Sequence, residues 1–387
     1  MKNTLLVKKN KLTFSDVCIE IAYISLAIVS SYVSFLTFDV KFPAILLFIG
    51  LFFMATVKVF FRANVRLHKI ILLLILRFVL FMLNCLILKL GVENILEQAI
   101  ITVCSIMIFI YCYNVSVDIG KILLPFTILT CVQIFYSFVA NGFSIDKTFI
   151  VSGIGGSNYA ATFLLFMITY YLFSQTTATQ KMTLVMSIFA LLLTQSFACY
   201  LVLFVVCTWK IFKKVKWYSV KSVTILSVTC IIFILFCVWF FNTKWGYPIF
   251  EKVQNKLVFL FSGDIKNFSS SRVELYQFSM DNIKRHILFG SVKNINMKVV
   301  NEYQNFRTHN FILESLLLYG IVGSFFNLII LYYLIKSFRK NRNTAYIMVF
   351  VAMILHGFFE PNFFTMHFEL FIWLIIGSSL GLKDRRR

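Results

Sequence analysis

The chain has 387 residues, of which 60% are hydrophobic and 18% aromatic while only 14% are charged, and its mean hydropathy is +0.85. A charged share this far below the roughly one quarter usual in soluble domains excludes an ordinary soluble enzyme and indicates a polytopic membrane protein. The formal net charge of +21, from 37 Lys and Arg against 16 Asp and Glu, takes its meaning from where the charges fall along the topology, and implies no nucleic-acid partner.

A spanning helix needs about 20 mostly apolar residues, and by that ruler about twelve segments qualify. They lie near residues 17–37, 42–61, 70–90, 98–117, 122–140, 158–174, 183–195, 197–212, 222–242, 310–335, 344–358 and 366–382. The first is long enough to span and lacks a small-residue cleavage site, so it is expected to stay as the first helix. The third carries Arg77 well inside its apolar run, where a charge facing lipid is costly. Two readings stay open for Arg77: a phosphate contact in a water-filled cavity, or pairing with a carboxylate such as Glu20 or with a helix carbonyl. Lys58 and Lys89, near segment ends, read as snorkelling side chains. The seventh and eighth segments are short and read as two spans or as one re-entrant or broken pair. Of the nine cysteines, almost all sit in apolar runs without metal-ligand spacing, as small buried hydrophobes. Trp217, Trp239, Trp245 and Trp373 look like interfacial anchors.

Basic residues in the short connections set the orientation. Lys2 to Lys11, Arg62 to Lys69, Lys210 to Lys216, Lys336 to Arg342 and Lys383 to Arg387 fall on one side, which is expected to be cytoplasmic. Gly91 to Glu97 and Asn141 to Ser157, on the other side, are poor in Lys and Arg. The expected organisation is residues 1–242 as nine transmembrane helices, 243–308 as an extracytoplasmic loop before the tenth helix, and 309–387 as three more helices with a basic cytoplasmic tail. A loop of about 65 residues is too long for an idle connection, and its excess of cations suggests an anionic partner. Within it, Ser269-Ser-Ser-Arg272 is expected to start a helix reaching Arg285. Val273, Leu275, Tyr276, Phe278, Met280 and Ile283 would be its membrane-facing side.

The densest polar set comes next, in Arg307-Thr-His-Asn-Phe-Ile-Leu-Glu314-Ser-Leu-Leu-Leu-Tyr-Gly320-Ile-Val-Gly323, which is expected to run without a break into the tenth span. In a helix starting near Thr308, Arg307, Asn310 and Glu314 share one face. His309 would lie beside them in the first turn, where the helix end disfavours imidazolium and favours a neutral ring able to accept a proton. The alternative is that these residues only cap the helix. Further on, His356 and Glu360 stand four apart, and either line a cavity or share a buried hydrogen bond. Asp264 and Asp281 are isolated, no His pair stands at ligand spacing, and no Walker-type glycine loop appears, so catalysis without metal or nucleotide is expected.

His309-Asn310-x-x-Leu313-Glu314, followed by Tyr319-Gly320-Ile321-x-Gly323, resembles the O-antigen polymerase and ligase family. It is most like the Wzy-type polymerases of polysaccharide repeat units. Weaker matches are Arg272 opening the loop helix with Phe289-Gly290-Ser291 after it, Gly156-Ser-Asn158-Tyr-Ala-Ala161, Leu193-Thr-Gln-Ser196, and His356-Gly-Phe-Phe-Glu360. A Pro and one Gly common in relatives are missing after Arg272, and Phe197 stands where many relatives have Arg. The resemblance covers roughly residues 150–380.

The resemblance implies an all-α polytopic glycosyltransferase of the cytoplasmic membrane. It would use polyprenyl-pyrophosphate-linked oligosaccharide, with inversion, at the outer face. Its partners would be membrane lipids and, in the same pathway, a chain-length regulator and a flippase. Such chemistry needs a base, for which His309 is the candidate, and cations for pyrophosphate, for which Arg272 and Arg307 are chosen. Glu314 completes the catalytic set. Asn310, Arg77, Lys284, Arg285, Glu360 and Asn158 are expected around the substrate, with Glu314 or Glu360 orienting the imidazole or the acceptor sugar. Blander roles stand beside these: lipid headgroups for Arg272, capping for His309, pairing with Arg307 for Glu314. A ligase passing finished glycan to another acceptor shares the pattern; the modest loop favours a polymerase. A flippase or other transporter would show related halves and charges gathered near the midplane, whereas here the polar set gathers in one outer loop and the helix after it, and the halves do not look alike.

Overall fold

The computed structural model describes residues 13–31, 50–51, 53–54, 57, 67–89, 92–115, 117–143, 151–152, 155–174, 176–214, 242–243, 246–264, 272–291, 295–299, 302–306, 308–341, 343–360 and 366–384, with single helical positions between 224 and 239. The expected spans near 42–61 and 222–242 fall mostly outside these residues, and Arg307 falls outside them altogether.

In chain order the helices are α1 (Phe14–Ser31), α2 (Lys69–Ile87), α3 (Val92–Asn114), the short α4 (Ile119–Ile122) and α5 (Leu124–Ala140). A small hairpin of β1 (Val151–Ser152) and β2 (Gly155–Gly156) leads into α6 (Ser157–Phe173), α7 (Ala178–Leu193) and α8 (Phe197–Lys214). Then come α9 (Tyr247–Phe261), α10 (Arg272–Arg285), a hairpin of β3 (Ile295–Val299) and β4 (Glu302–Phe306), α11 (Phe311–Asn341), α12 (Thr344–Gly357) and α13 (Met366–Asp384). The β3–β4 pair is antiparallel, with Ile295 opposite Phe306.

Helices α2 and Phe311–Lys336 are long and apolar enough to cross a membrane, and Leu124–Ala140, Ala178–Leu193 and Thr344–Gly357 are among the shorter apolar helices. On α2, Ile70, Leu74, Arg77, Phe81 and Asn84 are buried at helical spacing, while Leu72, Ile75, Leu76, Val79, Leu83 and Leu86 are exposed. A helix apolar on its outer face as well as its inner one suits lipid rather than water. Helix α6 is buried on nearly every side. Close packing of α13 on α3 uses Gly377 and Gly381, four apart, where a Cβ at Gly381 would stand 2.4 Å from the Tyr113 carbonyl oxygen. Small residues at that spacing let helix backbones approach in a membrane. The architecture is that of an all-α polytopic membrane protein.

The short seventh and eighth segments are two helices. A capping box starts α7, with Gln180 N–H donating to Thr177 Oγ1 (3.3 Å) and Thr177 N–H to Gln180 Oε1 (3.0 Å). It ends at a turn where Gln195 takes φ of +52°. Tyr200 on α8 donates its hydroxyl to the Leu192 carbonyl (2.6 Å), closing the turn.

Arg77 finds its carboxylate on α13, and that carboxylate is Glu369 rather than Glu20. The two side chains are bonded and each is 1% exposed. Tyr319 lies under the guanidinium, 5.5 Å from ring centre to Cζ, and Trp373 Nε1 donates to Glu369 Oε1 (3.4 Å). Removing either partner of such a pair would leave a buried charge uncompensated, so it ties α2 to α13.

The expected unbroken run from Glu314 into the tenth span is interrupted. Gly320 sits at φ 61° and ψ −167°, splitting α11, and the Phe289-Gly290-Ser291 turn docks into the gap. Ser291 N–H donates to the Leu317 carbonyl (2.7 Å), while Ile321 and Val322 N–H donate to the Ile287 (2.9 Å) and Leu288 (3.1 Å) carbonyls. These bonds recover backbone groups that the break would otherwise strand. Both turns need glycine: Gly290 is at φ +81°, and a Cβ on Gly320 would lie 2.4 Å from Leu288 backbone atoms. The two glycine motifs are thus halves of one joint. Gly320→Ala should lower stability by on the order of 2–4 kcal/mol through positive φ and backbone collision together. Gly142→Ala, at φ +66° with open space around it, should cost only about 1 kcal/mol. Thermal unfolding of the two variants in detergent checks the contrast.

Candidate functional site

The site forms where the β3–β4 hairpin hands the chain to α11. Asn310 is the N-cap of α11: its Oδ1 accepts from the N–H groups of Ile312 (2.9 Å) and Leu313 (3.2 Å). Glu314, 1% exposed, turns back, and its Oε2 accepts from Thr308 N–H at 3.0 Å. The Thr308 hydroxyl lies 2.8 Å from both Glu314 Oε2 and the Asn310 carbonyl, and donates to one at a time. So locked, the residue between them is forced into a left-handed turn. His309 takes φ of +50°, a conformation that costs a side-chain-bearing residue on the order of 1–3 kcal/mol and persists only when its surroundings impose it. It therefore lies just ahead of the helix instead of within its first turn.

This turn aims the His309 ring at Glu360, which follows the end of α12. His309 Nδ1 lies 2.8 Å from Glu360 Oε2. A carboxylate only accepts, so the Nδ1 proton is the one in the bond, and in the neutral ring Nε2 holds the lone pair. The other carboxylate oxygen, Glu360 Oε1, accepts from Arg272 Nη2 at 3.0 Å and from Asn158 Nδ2 at 3.4 Å. Helices α6, α10 and α12 and the α11 cap thereby meet at one carboxyl group. Glu360 is turned into place by its own chain: the His356 carbonyl accepts from the N–H groups of Phe359 (2.8 Å) and Glu360 (3.0 Å). The His356 ring is fully buried behind it, with Nε2 3.2 Å from Cys199 Sγ.

Burial alone would push the Glu360 carboxyl up. The hydrogen bond and charge of His309, then Arg272 and His356, outweigh it and hold the group below the ordinary carboxylate range. Burial pushes the Tyr276 phenol up against the pull of Arg272, so it remains a donor at neutral pH, with its hydroxyl 3.5 Å from the His309 carbonyl. His309 and Arg272 keep 30% and 24% of their side-chain surface open. Among the described residues the guanidinium is bonded only at one nitrogen, which leaves most of its donors for a ligand.

The structure thus brings Arg272, His309, Glu360 and Asn158 together, with Asn310 and Glu314 shaping the turn. Others stand apart. Arg77 is enclosed with Glu369. Lys284 and Arg285 are exposed at the far end of α10, about 18 Å along its axis from Arg272, where Lys284 pairs with Asp281 at 3.5 Å. The face of α10 that is buried is Ser279 and Ile283, with Ile283 against Leu317, whereas Phe278 and Met280 are exposed. Asn84 and Glu369 had no role at the sequence level, and Tyr276 was expected only on the membrane-facing side of its helix. A search for acids inside apolar runs would have found Glu369, since an intramembrane arginine needs one.

No curated protein matches the chain. Residues 182–328 match a family model described as O-antigen ligase. That stretch includes Arg272, His309, Asn310, Glu314 and both glycines of the joint; Asn158 and Glu360, which complete the cluster, come from outside it. Over residues 182–328 this membrane protein is thus similar to the O-antigen ligase family.

Proposed function

We propose that the protein joins polyprenyl-pyrophosphate-linked oligosaccharide repeat units into capsular or O-antigen polysaccharide at the outer face of the cytoplasmic membrane. The observation that carries this reading is the Glu360 carboxylate shared between His309 and Arg272. A carboxylate bonded to Nδ1 fixes the ring and presents Nε2 as a base, while Arg272 supplies a permanent cation beside it. His309 Nε2 takes the proton of an acceptor sugar hydroxyl. The oxygen attacks the anomeric carbon of the donor from the side opposite its pyrophosphate, the carbon–oxygen bond to pyrophosphate breaks, and the configuration inverts. Arg272 stabilises the negative charge of the departing pyrophosphate.

Asn158 steadies Glu360, and Asn310 and Glu314 hold the His309 turn. Arg307 remains a candidate second cation at the hairpin's end, and Lys284 and Arg285, farther along α10, suit anionic headgroups more than the reacting atoms. The outer location rests on the basic residues that cluster in the connections on the other side.

The family description, O-antigen ligase, favours a second reading in which finished glycan passes to a different acceptor. Purified protein incubated with its lipid-pyrophosphate repeat unit separates the two: a ladder of products on a gel is expected, and transfer only when a different acceptor is added would select the ligase. His309→Ala should slow transfer by about 10²–10⁴-fold at equal folded yield. An unchanged rate would leave His309 only the structural role of bonding Glu360.

The depressed carboxyl of Glu360 also sets a pH dependence. A group whose folded pKa lies below its unfolded one stabilises fully above the unfolded value, near 4.3 for Glu, and loses that contribution as pH falls through the folded value. The melting temperature of the unmodified protein should therefore fall faster below about pH 4 than that of Glu360→Gln. Parallel curves would show that Glu360 contributes nothing to stability through its charge.

A further inference from the structure

We propose that Asn84, on membrane helix α2, is a positioning residue that sets Arg272 over Glu360 by holding the far end of α10; the consequence for ligand binding rests on the reading of Arg272 as a pyrophosphate ligand. Asn84 is 5% exposed in an apolar helix. Its Nδ2 donates to the carbonyls of Phe289 (2.7 Å) and Gly290 (2.9 Å), the turn that docks into the Gly320 break. A buried amide this well satisfied costs little where it is, and its removal takes a donor from both carbonyls, that of Gly290 in a buried bond.

The same face of α2 also grips the other half of the joint. Phe81 packs on Tyr319 with ring centres 5.9 Å apart, and Arg77 lies over the same ring. The joint is thereby fixed to the membrane bundle rather than floating with the loop.

From this joint α10 runs back to the site. Its 14 residues make a rod of about 21 Å. The rod is fastened at its far end by the turn that Asn84 holds and, just before it, by Ile283 against Leu317, and at its near end by the Tyr276 hydroxyl, 3.5 Å from the His309 carbonyl, and by Arg272 on Glu360. The Ile283 contact is small and the Tyr276 bond is long. The turn is the firmest support, held by Asn84 and by its backbone bonds to α11, so loosening it lets the rod shift and Arg272 with it, and misplacement by about 1 Å is enough to matter at such a site.

The test uses full-length protein in detergent micelles, unmodified and as Asn84→Ala. Hydrogen exchange across residues 272–291 should speed up in the variant. Polyprenyl pyrophosphate should bind about tenfold more weakly, which corresponds to about 1.4 kcal/mol. Asn84→Ala added to Arg272→Ala should weaken binding little further, because the first acts through the second. Unchanged exchange overturns the proposal, as does faster exchange with unchanged affinity, or a loss that adds in full to that of Arg272→Ala. If the unmodified protein does not bind polyprenyl pyrophosphate, the reading of Arg272 fails, and the exchange comparison alone decides whether Asn84 holds α10. Where Asn84→Ala gives no folded protein, Asn84→Ser takes the same measurements.

Discussion

One carboxylate organises the site. Glu360 accepts from His309 on one oxygen and from Arg272 on the other, and these side chains come from a helix cap, a loop helix and the end of a membrane helix. Taking a carboxylate out of water is costly unless partners replace its hydration. The partners here are the groups to which the proposed chemistry assigns its base and its cation, so folding the site and satisfying its buried charge are the same event. The depressed Glu360 carboxyl records the outcome: partners prevail over burial.

The glycine joint makes this possible at a distance. Closing α10 onto α11 requires backbone to touch backbone at Gly290 and Gly320, and interrupting a membrane helix is tolerated only where another segment takes up the freed groups. The Phe289-Gly290-Ser291 turn does so, and Arg77 and Glu369 brace the helices behind it. Across the break itself, Ser315 bonds Ser324 (2.9 Å) and Asn327 donates to Ser315 (2.8 Å). The segment that carries α10 is therefore built into the bundle at its Gly290 end.

Much of this was legible in the sequence, for definite reasons. Long apolar runs mark helices in lipid unambiguously, so the bounds of α5, α6, α12 and α13 agree with the hydropathy within a few residues. The break in α11 was not legible, because a glycine in an apolar helix is ordinary and its counterpart Gly290 lies thirty positions earlier in another element. The family resemblance left both Glu314 and Glu360 open as the partner of His309. Geometry separates them: the helix cap turns Glu314 back onto Thr308, and Glu360 arrives from a different helix. The same limitation hid Glu369, 292 positions from Arg77, since periodicity reports which face a residue occupies and not what that face meets.

The account turns on whether His309 and Glu360 act as one unit, and a double-mutant cycle on the transfer rate measures that most directly. His309→Gln, Glu360→Gln and the double variant would be compared with the unmodified protein, with folded yield held equal. If the carboxylate works by orienting the imidazole, the double variant should be nearly as active as His309→Gln alone. If the losses instead multiply, Glu360 acts independently of His309, and the shared carboxylate is not the core of the mechanism.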